Sequence, residues 1–204
     1  MASEGPNSPV TMASAADAAA AQAWSNVNNA KSSDNFYATA LLDEESGYYS
    51  QYLKATNFAF TSAIDDNATI DGILVEVERY QAADSGIKDY SMQLINSAGT
   101  MIGADKATTT QWLGSDPNTY VSYGGSTDTW GITGLTGADV KDSDFGVVLA
   151  IQYASGAGTV TAYVDHVRMT VYYTNPSGLT TGQTAAPLIS KRCGFVGAKY
   201  ERGG

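Results

Sequence analysis

The stretch Thr159-Val-Thr-Ala-Tyr-Val-Asp-His-Val-Arg-Met-Thr-Val-Tyr-Tyr-Thr174 decides the fold of this chain. Apolar and more polar side chains alternate along almost all of this stretch. In a regular strand one face would carry Tyr163, Val167, Met169, Val171 and Tyr173. The other face would carry His166, Arg168, Thr170 and Tyr172. A period of two in β-branched and aromatic residues is typical of a half-buried β-strand. The stretch is too long for a local hairpin, so we expect it to be a central strand of a β-sandwich.

Six further segments have the composition of strands, and turn residues separate them. They are residues 37–42, 49–60, 70–80, 88–97, 119–123 and 145–153. Sequences such as Asp84-Ser-Gly86 and Ser155-Gly-Ala-Gly158 mark turns between them. Many strands with turns between them and no helical periodicity indicate an all-β, antiparallel β-sandwich of jelly-roll type.

The two ends of the chain differ from this central domain, which spans residues 24–174. Residues 1–23 are expected to form an extended N-terminal arm, with a short helix over 14–23 because Ser14-Ala-Ala-Asp17 resembles a capping box. Asn175-Pro-Ser-Gly178 ends the last strand, and residues 175–204 form a C-terminal arm.

The composition narrows the classes of partner. The net charge of −10 disfavours non-specific binding to nucleic acid or to an anionic membrane. No apolar stretch is long enough for a transmembrane helix, and the first residues lack the pattern of a secretory signal. Cys193 is the single cysteine, so no intrachain disulfide can form.

Positive charge is concentrated near the C-terminus. From Asn175 onward Glu201 is the single acid, and the bases are Lys191, Arg192, Lys199 and Arg202. The arm therefore carries +3, which leaves −13 for residues 1–174. A basic arm on an acidic body suggests assembly contacts with the acidic surface of a neighbour, such as an identical subunit. The alternative is a solvated tail.

Two charged residues fall in phase with apolar faces, Arg79 in the segment 70–80 and Asp165 in the last strand. A lone buried charge is costly, whereas a paired and hydrogen-bonded one is tolerated. We therefore predict that Arg79 and Asp165 form a structural buried pair, or that a β-bulge turns one of them outward.

His166 is the single histidine, and a general base needs a group that orients its ring. The adjacent Asp165 points to the opposite face of a regular strand, and no Ser or Cys nucleophile motif accompanies the ring. We interpret His166 as a surface strand residue and assign no catalytic residue and no cofactor. A hydrolase would need two carboxylates that face each other across a cleft, and it is kept as a minor alternative.

Asp139, Asp142 and Asp144 place three carboxylates in one short loop, a pattern that calcium can use. The spacing does not match an EF-hand loop, and Asp is also common in turns. These residues are therefore a weak calcium candidate, and no metal is assigned.

Aromatic residues are concentrated in the loop-rich middle of the chain, where Trp112, Tyr123 and Trp130 could form a glycan platform together with Tyr120. Aromatic faces stack on sugar rings, and nearby polar groups supply hydrogen bonds. The alternative is that these side chains plug the end of the sandwich or lie at a subunit interface.

Four segments together carry a family resemblance. They are Trp24-Ser-Asn-Val-Asn-Asn-Ala-Lys-Ser-Ser-Asp-Asn-Phe-Tyr-Ala-Thr39, Ile70-Asp-Gly-Ile-Leu-Val-Glu-Val-Glu-Arg79, Tyr123-Gly-Gly-Ser-Thr-Asp-Thr-Trp-Gly131, and Phe145-Gly-Val-Val-Leu149 with Val164-Asp-His-Val-Arg-Met-Thr-Val-Tyr-Tyr-Thr174. In their order and amino-acid sequence they resemble a β-sandwich domain of tailed-bacteriophage virion structural proteins and prophage-derived proteins. The resemblance spans residues 24–174. Where relatives usually have Ile-Pro before the strand at 70, this chain has Ala63-Ile-Asp-Asp-Asn67.

The resemblance implies a noncatalytic virion structural protein, with a capsid decoration or minor capsid role favoured. Such a protein would be synthesised in the host cytoplasm and would reach the virion by docking through its terminal arms onto other virion proteins. It would be a homo-oligomer, with a trimer as the expected state, and would need no nucleic acid or membrane partner. The alternative is a receptor- or glycan-binding module of a tail fibre or tail tip.

Overall fold

The computed structural model describes residues 1–16, 22–44, 48–82, 86–115, 118–154 and 158–177. These residues form ten strands: β1 Ala2–Asn7, β2 Thr11–Ala15, β3 Ala38–Asp43, β4 Tyr52–Thr56, β5 Thr69–Gln81, β6 Ile87–Ile95, β7 Met101–Ile102, β8 Tyr120–Gly124, β9 Gly146–Tyr153 and β10 Thr159–Thr174. A 3-10 turn covers Val27–Ala30, and one short helix, α1, covers Gly137–Lys141.

The strands form two antiparallel sheets that pack face to face. Sheet A has the order β1-β10-β5-β8, and β3 pairs with the other end of β10 beside β1; sheet B has the order β2-β4-β9-β6-β7. From β3 to β10 the chain thus places β3-β10-β5-β8 opposite β4-β9-β6-β7, which is the strand order of an eight-stranded jelly roll. This arrangement confirms the predicted all-β, antiparallel, jelly-roll-like sandwich.

The seven predicted strands all have counterparts, and the largest difference is in β4. The sequence predicts a strand over 49–60, whereas β4 ends at Thr56. Asn57 and Ala59 have φ values of 58° and 52°, and this left-handed backbone cannot continue a ladder. The two-residue β7 has no signal in the sequence because it is too short to show alternation.

The N-terminal residues are extended, but they belong to the sandwich. β1 pairs with β10, and β2 pairs with β4. The helix predicted over 14–23 does not begin at Ser14, because Ser14 and Ala15 pair with β4. A short helix is marginal in water, whereas β2 satisfies its backbone groups along β4 and buries Met12. Residues 17–21 and 178–204, with most of the C-terminal arm, lie outside the described residues.

A β-bulge divides β10 into two halves. Val164 pairs with Arg79 and His166 pairs with Glu78, which leaves Asp165 as the extra residue. Even-numbered apolar side chains therefore face the core before the bulge and odd-numbered ones after it, including Val160, Ala162 and Val164, then Val167, Met169 and Val171. The assignment of Tyr163 to the buried face with Val167 was wrong, because the bulge reverses the alternation between them.

Candidate functional site

The predicted pair of Arg79 and Asp165 does not form. The Arg79 guanidinium lies between the sheets with Nη2 3.3 Å from Oδ1 of Asp89. The Asp165 carboxylate instead accepts the backbone N–H groups of Asp34 and Asn35 at 3.4 and 3.1 Å. Both Arg79 and Asp165 are buried. The predicted alternative, a bulge, is present at Asp165, and it moves this side chain out of the alternation that would have directed it toward Arg79.

Asp89 is the centre of a polar cluster in the core. Its carboxylate accepts hydrogen bonds from Trp112 Nε1 at 2.8 Å, Tyr123 Oη at 2.9 Å, and both the backbone N–H and the hydroxyl of Thr108. The Arg79 guanidinium lies 4.3 Å from the centroid of the Trp112 ring. Burial raises the pKa of the Tyr123 hydroxyl far above its usual range. The donors around Asp89 thus satisfy its carboxylate inside the sandwich. Nε of Arg79 is buried and has no hydrogen-bond partner among the described residues.

The possible glycan platform of Trp112, Tyr123 and Trp130 does not form. Trp112, Tyr123 and Trp130 are 3%, 2% and 0% exposed, so their ring faces are closed to a ligand. Trp112 and Tyr123 are directed toward Asp89, and Trp130 Nε1 donates to the Ile73 carbonyl at 3.0 Å. Each ring fills the interior while its polar atom finds a partner, in line with the alternative that these residues plug the sandwich.

Two of the three carboxylates of the calcium candidate, those of Asp139 and Asp142, have local structural partners. Asp139 accepts the backbone N–H and hydroxyl of Thr136 at 2.8 and 2.6 Å in a capping box of α1. Asp142 accepts the backbone N–H of Asp144 at 2.8 Å. In the part of the chain that the structure describes, no group of three or more His, Cys, Asp or Glu side chains could hold a metal ion. The calcium candidate is therefore not supported.

His166 is part of a network on the outer face of sheet A. Its Nε2 lies 2.8 Å from the Ser8 hydroxyl, and its Nδ1 lies 2.8 Å from the Tyr120 hydroxyl. The residue lies on the outer face but is only 8% exposed, so the interpretation as a surface strand residue was wrong. Burial, reinforced by the positive charge of Arg168, lowers the pKa of the imidazole. The neutral ring thus fastens the segment between β1 and β2 to β8.

Charged residues extend this network along the same face. Arg168 donates to Glu76 from Nε at 2.9 Å and from Nη2 at 3.0 Å, and this bidentate bond raises the pKa of the guanidinium. The guanidinium also lies 3.6 Å from the Tyr120 ring centroid. Such fork-shaped pairs fix geometry as well as charge. We call Ser8, Glu76, Tyr120, His166 and Arg168 the polar network.

An aromatic patch adjoins the polar network on sheet A. Tyr80 and Tyr163 are cross-strand neighbours whose rings stack with centroids 4.6 Å apart and planes 9° apart. Tyr37 contacts both rings edge-on, at 5.2 and 5.5 Å. Leu41, which pairs with Thr161 two residues before Tyr163, is 52% exposed, and Phe36, which directly precedes Tyr37, is 68% exposed. We call Phe36, Tyr37, Leu41, Tyr80 and Tyr163 the aromatic patch. It presents apolar surface to solvent, and the stacked rings of Tyr80 and Tyr163 on β5 and β10 lie within it.

The bulge positions the loop that carries Phe36. Asp165 holds the backbone of Asp34 and Asn35, and Asn35 has a φ of 64°, which turns the chain sharply before Phe36. The Tyr37 hydroxyl donates to Asn35 Oδ1 at 3.3 Å. Sequence reasoning missed the aromatic patch because Tyr163 was assigned to the core. The sequence does contain a signal for it, because Tyr80 ends the predicted strand 70–80 and Tyr163 lies near the start of the predicted strand 159–174. Two such positions come side by side when the strands pair antiparallel.

The basic residues predicted as assembly contacts, Lys191, Arg192, Lys199 and Arg202, lie outside the described residues, as does Cys193. Within the described ranges, no helix is long and apolar enough to cross a membrane.

No protein-family model, no curated protein and no solved structure matches this chain.

Proposed function

We propose that this jelly-roll domain is a noncatalytic structural protein of a tailed-bacteriophage virion, with a capsid decoration or minor capsid role. It docks onto neighbouring virion proteins through the aromatic patch and the basic C-terminal arm. The sequence resemblance over residues 24–174 and the jelly-roll strand order support this proposal.

The aromatic patch is the observation that carries the proposal. Phe36 and Leu41 are more than half exposed although both are large apolar side chains. Full burial of one such side chain contributes roughly 1.5–3 kcal/mol. A modest contact of this kind becomes strong when the copies within one oligomer engage their sites together.

The support beneath the patch suits a docking surface. Tyr80 and Tyr163 stand on the two longest strands, and the Asp165 bulge fixes the loop of Phe36. A preformed surface loses little conformational entropy on binding. The expected assembly is a homo-oligomer, and the trimer is retained from the family resemblance.

The test is the copy number of this chain in purified particles of the phage or prophage that encodes it, measured by quantitative mass spectrometry against the major capsid protein. A copy number on the order of hundreds, close to one copy per capsid site, would support a decoration role. A handful of copies would move the protein to the neck or tail. Absence from the particles would overturn the virion assignment.

A receptor- or glycan-binding module of a tail fibre or tail tip is the second candidate. Trp112, Tyr123 and Trp130 cannot serve it because they are buried, so the aromatic patch would have to supply the stacking surface. Binding of the chain to a glycan array, lost on Tyr163→Ala, would favour this candidate.

A further inference from the structure

A cavity of about 410 Å³ opens at one end of the sandwich, away from the aromatic patch and the polar network. Its apolar surface comes from Ile102, Ile132, Leu135 and Phe145, and Asp139 and Asp142 lie at its rim. Leu135 and Phe145 are buried, whereas Asp139 and Asp142 are exposed. We call this cavity the end pocket.

The chemistry of the end pocket selects its occupant. Among the described residues that line it, two are acidic and none is basic. An apolar floor below an acidic rim fits an aromatic or aliphatic side chain that is flanked by cations. Anionic ligands would meet two like charges, which is unfavourable for binding.

The end pocket lies where the described chain ends. Asn175 accepts the backbone N–H of Asp65 and donates to the Ala63 carbonyl, both at 3.0 Å. The loop that contains these residues packs on α1, because Ala138 N donates to the Asp66 carbonyl at 2.9 Å and Lys141 Nζ donates to the Ile64 carbonyl at 2.7 Å. Helix α1 in turn supplies Ala138 and Asp139 to the wall of the pocket.

The C-terminal arm contains a segment of the required chemistry. In Lys191-Arg-Cys-Gly-Phe-Val196, two cations precede an aromatic and a branched aliphatic residue. The chain from Ser177 to Lys191 can span roughly 45 Å at about 3.3 Å per residue. That reach is enough for the pocket of the same molecule or of a neighbour.

We propose that Lys191–Val196 binds the end pocket, with Phe195 against the apolar floor and with Lys191 and Arg192 at Asp139 and Asp142. The occupied pocket is that of a neighbouring copy, and this part of the inference rests on the proposed docking function. The pocket then links one subunit to the next through its C-terminal arm.

The test replaces Phe195 by the photo-crosslinking analogue p-benzoylphenylalanine in the full-length chain, and maps the cross-linked peptides by mass spectrometry. The expected product joins position 195 to peptides that contain Ile132, Leu135 or Phe145. Ala138→Trp, which fills the exposed mouth of the pocket, should lower the yield about tenfold, which corresponds to about 1.4 kcal/mol of lost binding. The matched control Ser143→Trp, at an exposed position that does not line the pocket, should leave the yield unchanged.

A charge exchange gives a second readout. Asp142→Lys should lower the cross-linking yield, and the further changes Lys191→Glu and Arg192→Glu in the same chain should restore it. Thermal unfolding of each variant checks that the sandwich is intact. Cross-links that lie elsewhere, or that Ala138→Trp does not affect, would overturn the inference.

Mixing of isotope-labelled and unlabelled chains separates this inference from the proposed function. Cross-links between labelled and unlabelled chains support both the site and its use in assembly. Cross-links confined to single chains support the site and contradict its use as a link between subunits.

Discussion

Asp89 holds the polar cluster of the interior together, because it accepts hydrogen bonds from Thr108, Trp112 and Tyr123 and pairs with Arg79. A buried carboxylate is tolerated when its partners compensate for its lost hydration. The same residue explains why two aromatic side chains that resemble a ligand platform in the sequence turn inward. Their polar atoms serve Asp89 and not a ligand.

Replacement of Asp89 by Ala is therefore expected to destabilise the domain strongly. The guanidinium of Arg79 would remain buried without its counter-charge. The loss of one partner of a buried ion pair typically lowers the free energy of unfolding by about 3–5 kcal/mol, which is large for a single substitution. Urea unfolding followed by fluorescence measures the free energy. The matched control is Asp66→Ala, which removes an exposed partner of Lys141 and is expected to cost about 1 kcal/mol or less. Equal losses in the two variants would contradict a buried ion pair.

His166 gives the domain a pH dependence of known sign. The pKa of its folded imidazole is lowered from the ordinary value of 6.5, so the unfolded chain binds a proton first as the pH falls. The stability from the neutral ring is complete above pH 6.5 and is lost as the pH falls from there toward the lowered pKa. His166→Gln removes the titrating imidazole. The difference in free energy of unfolding between wild type and variant should therefore be smaller at pH 5.5 than at pH 7.5. A difference that stays constant, measured by urea unfolding at both pH values, would exclude this titration.

At the scale of single elements, β10 shows which features a sequence can and cannot predict. Its alternation identifies a long strand, and β3, β5, β6, β8 and β9 follow from similar patterns. The bulge at Asp165 cannot be read from that pattern, because one extra residue reverses every later assignment of faces. For that reason the sandwich could be predicted, whereas the aromatic patch, the polar network and the partner of Arg79 could not.

β9 depends on a close approach between strands that only glycine permits. A Cβ at Gly146 would lie 2.0 Å from the Ala55 carbonyl oxygen on β4. Gly146→Ala should therefore cost about 1–3 kcal/mol, as overpacking does in other cores. The control is Gly125→Ala, where no atom lies within 4 Å of the added Cβ. Thermal unfolding of both variants checks the expectation, and equal melting temperatures would show that β4 and β9 can move apart freely.

At the scale of the whole molecule, the two ends of the chain have different roles. The N-terminal residues add β1 to sheet A and β2 to sheet B, and they tie the sheets together. The C-terminal arm carries +3 beside a body of −13 and leaves from the end that holds the end pocket. In the proposed assembly, the aromatic patch and the end pocket provide two separate contacts for each subunit.

Loss of the aromatic patch should weaken assembly without weakening the fold. The double variant Phe36→Ser and Leu41→Ser removes two exposed side chains, so its unfolding free energy should change by less than about 0.5 kcal/mol per site. Leu113→Ser is the matched control, because Leu113 is 58% exposed and lies outside the patch. Urea unfolding should give free energies close to that of the wild type for both variants, and purified particles should bind less of the double variant than of Leu113→Ser.

The most direct measurement is the number of copies of each variant that purified particles contain, counted by quantitative mass spectrometry against the major capsid protein. The central claim predicts that the Leu113→Ser chain is incorporated like wild type, and that the Phe36→Ser and Leu41→Ser double variant falls about tenfold or more, because about 1.4 kcal/mol per contact site is a factor of ten. Equal incorporation of all three chains would contradict docking through the aromatic patch. Absence of the wild-type chain from the particles would contradict the virion role itself.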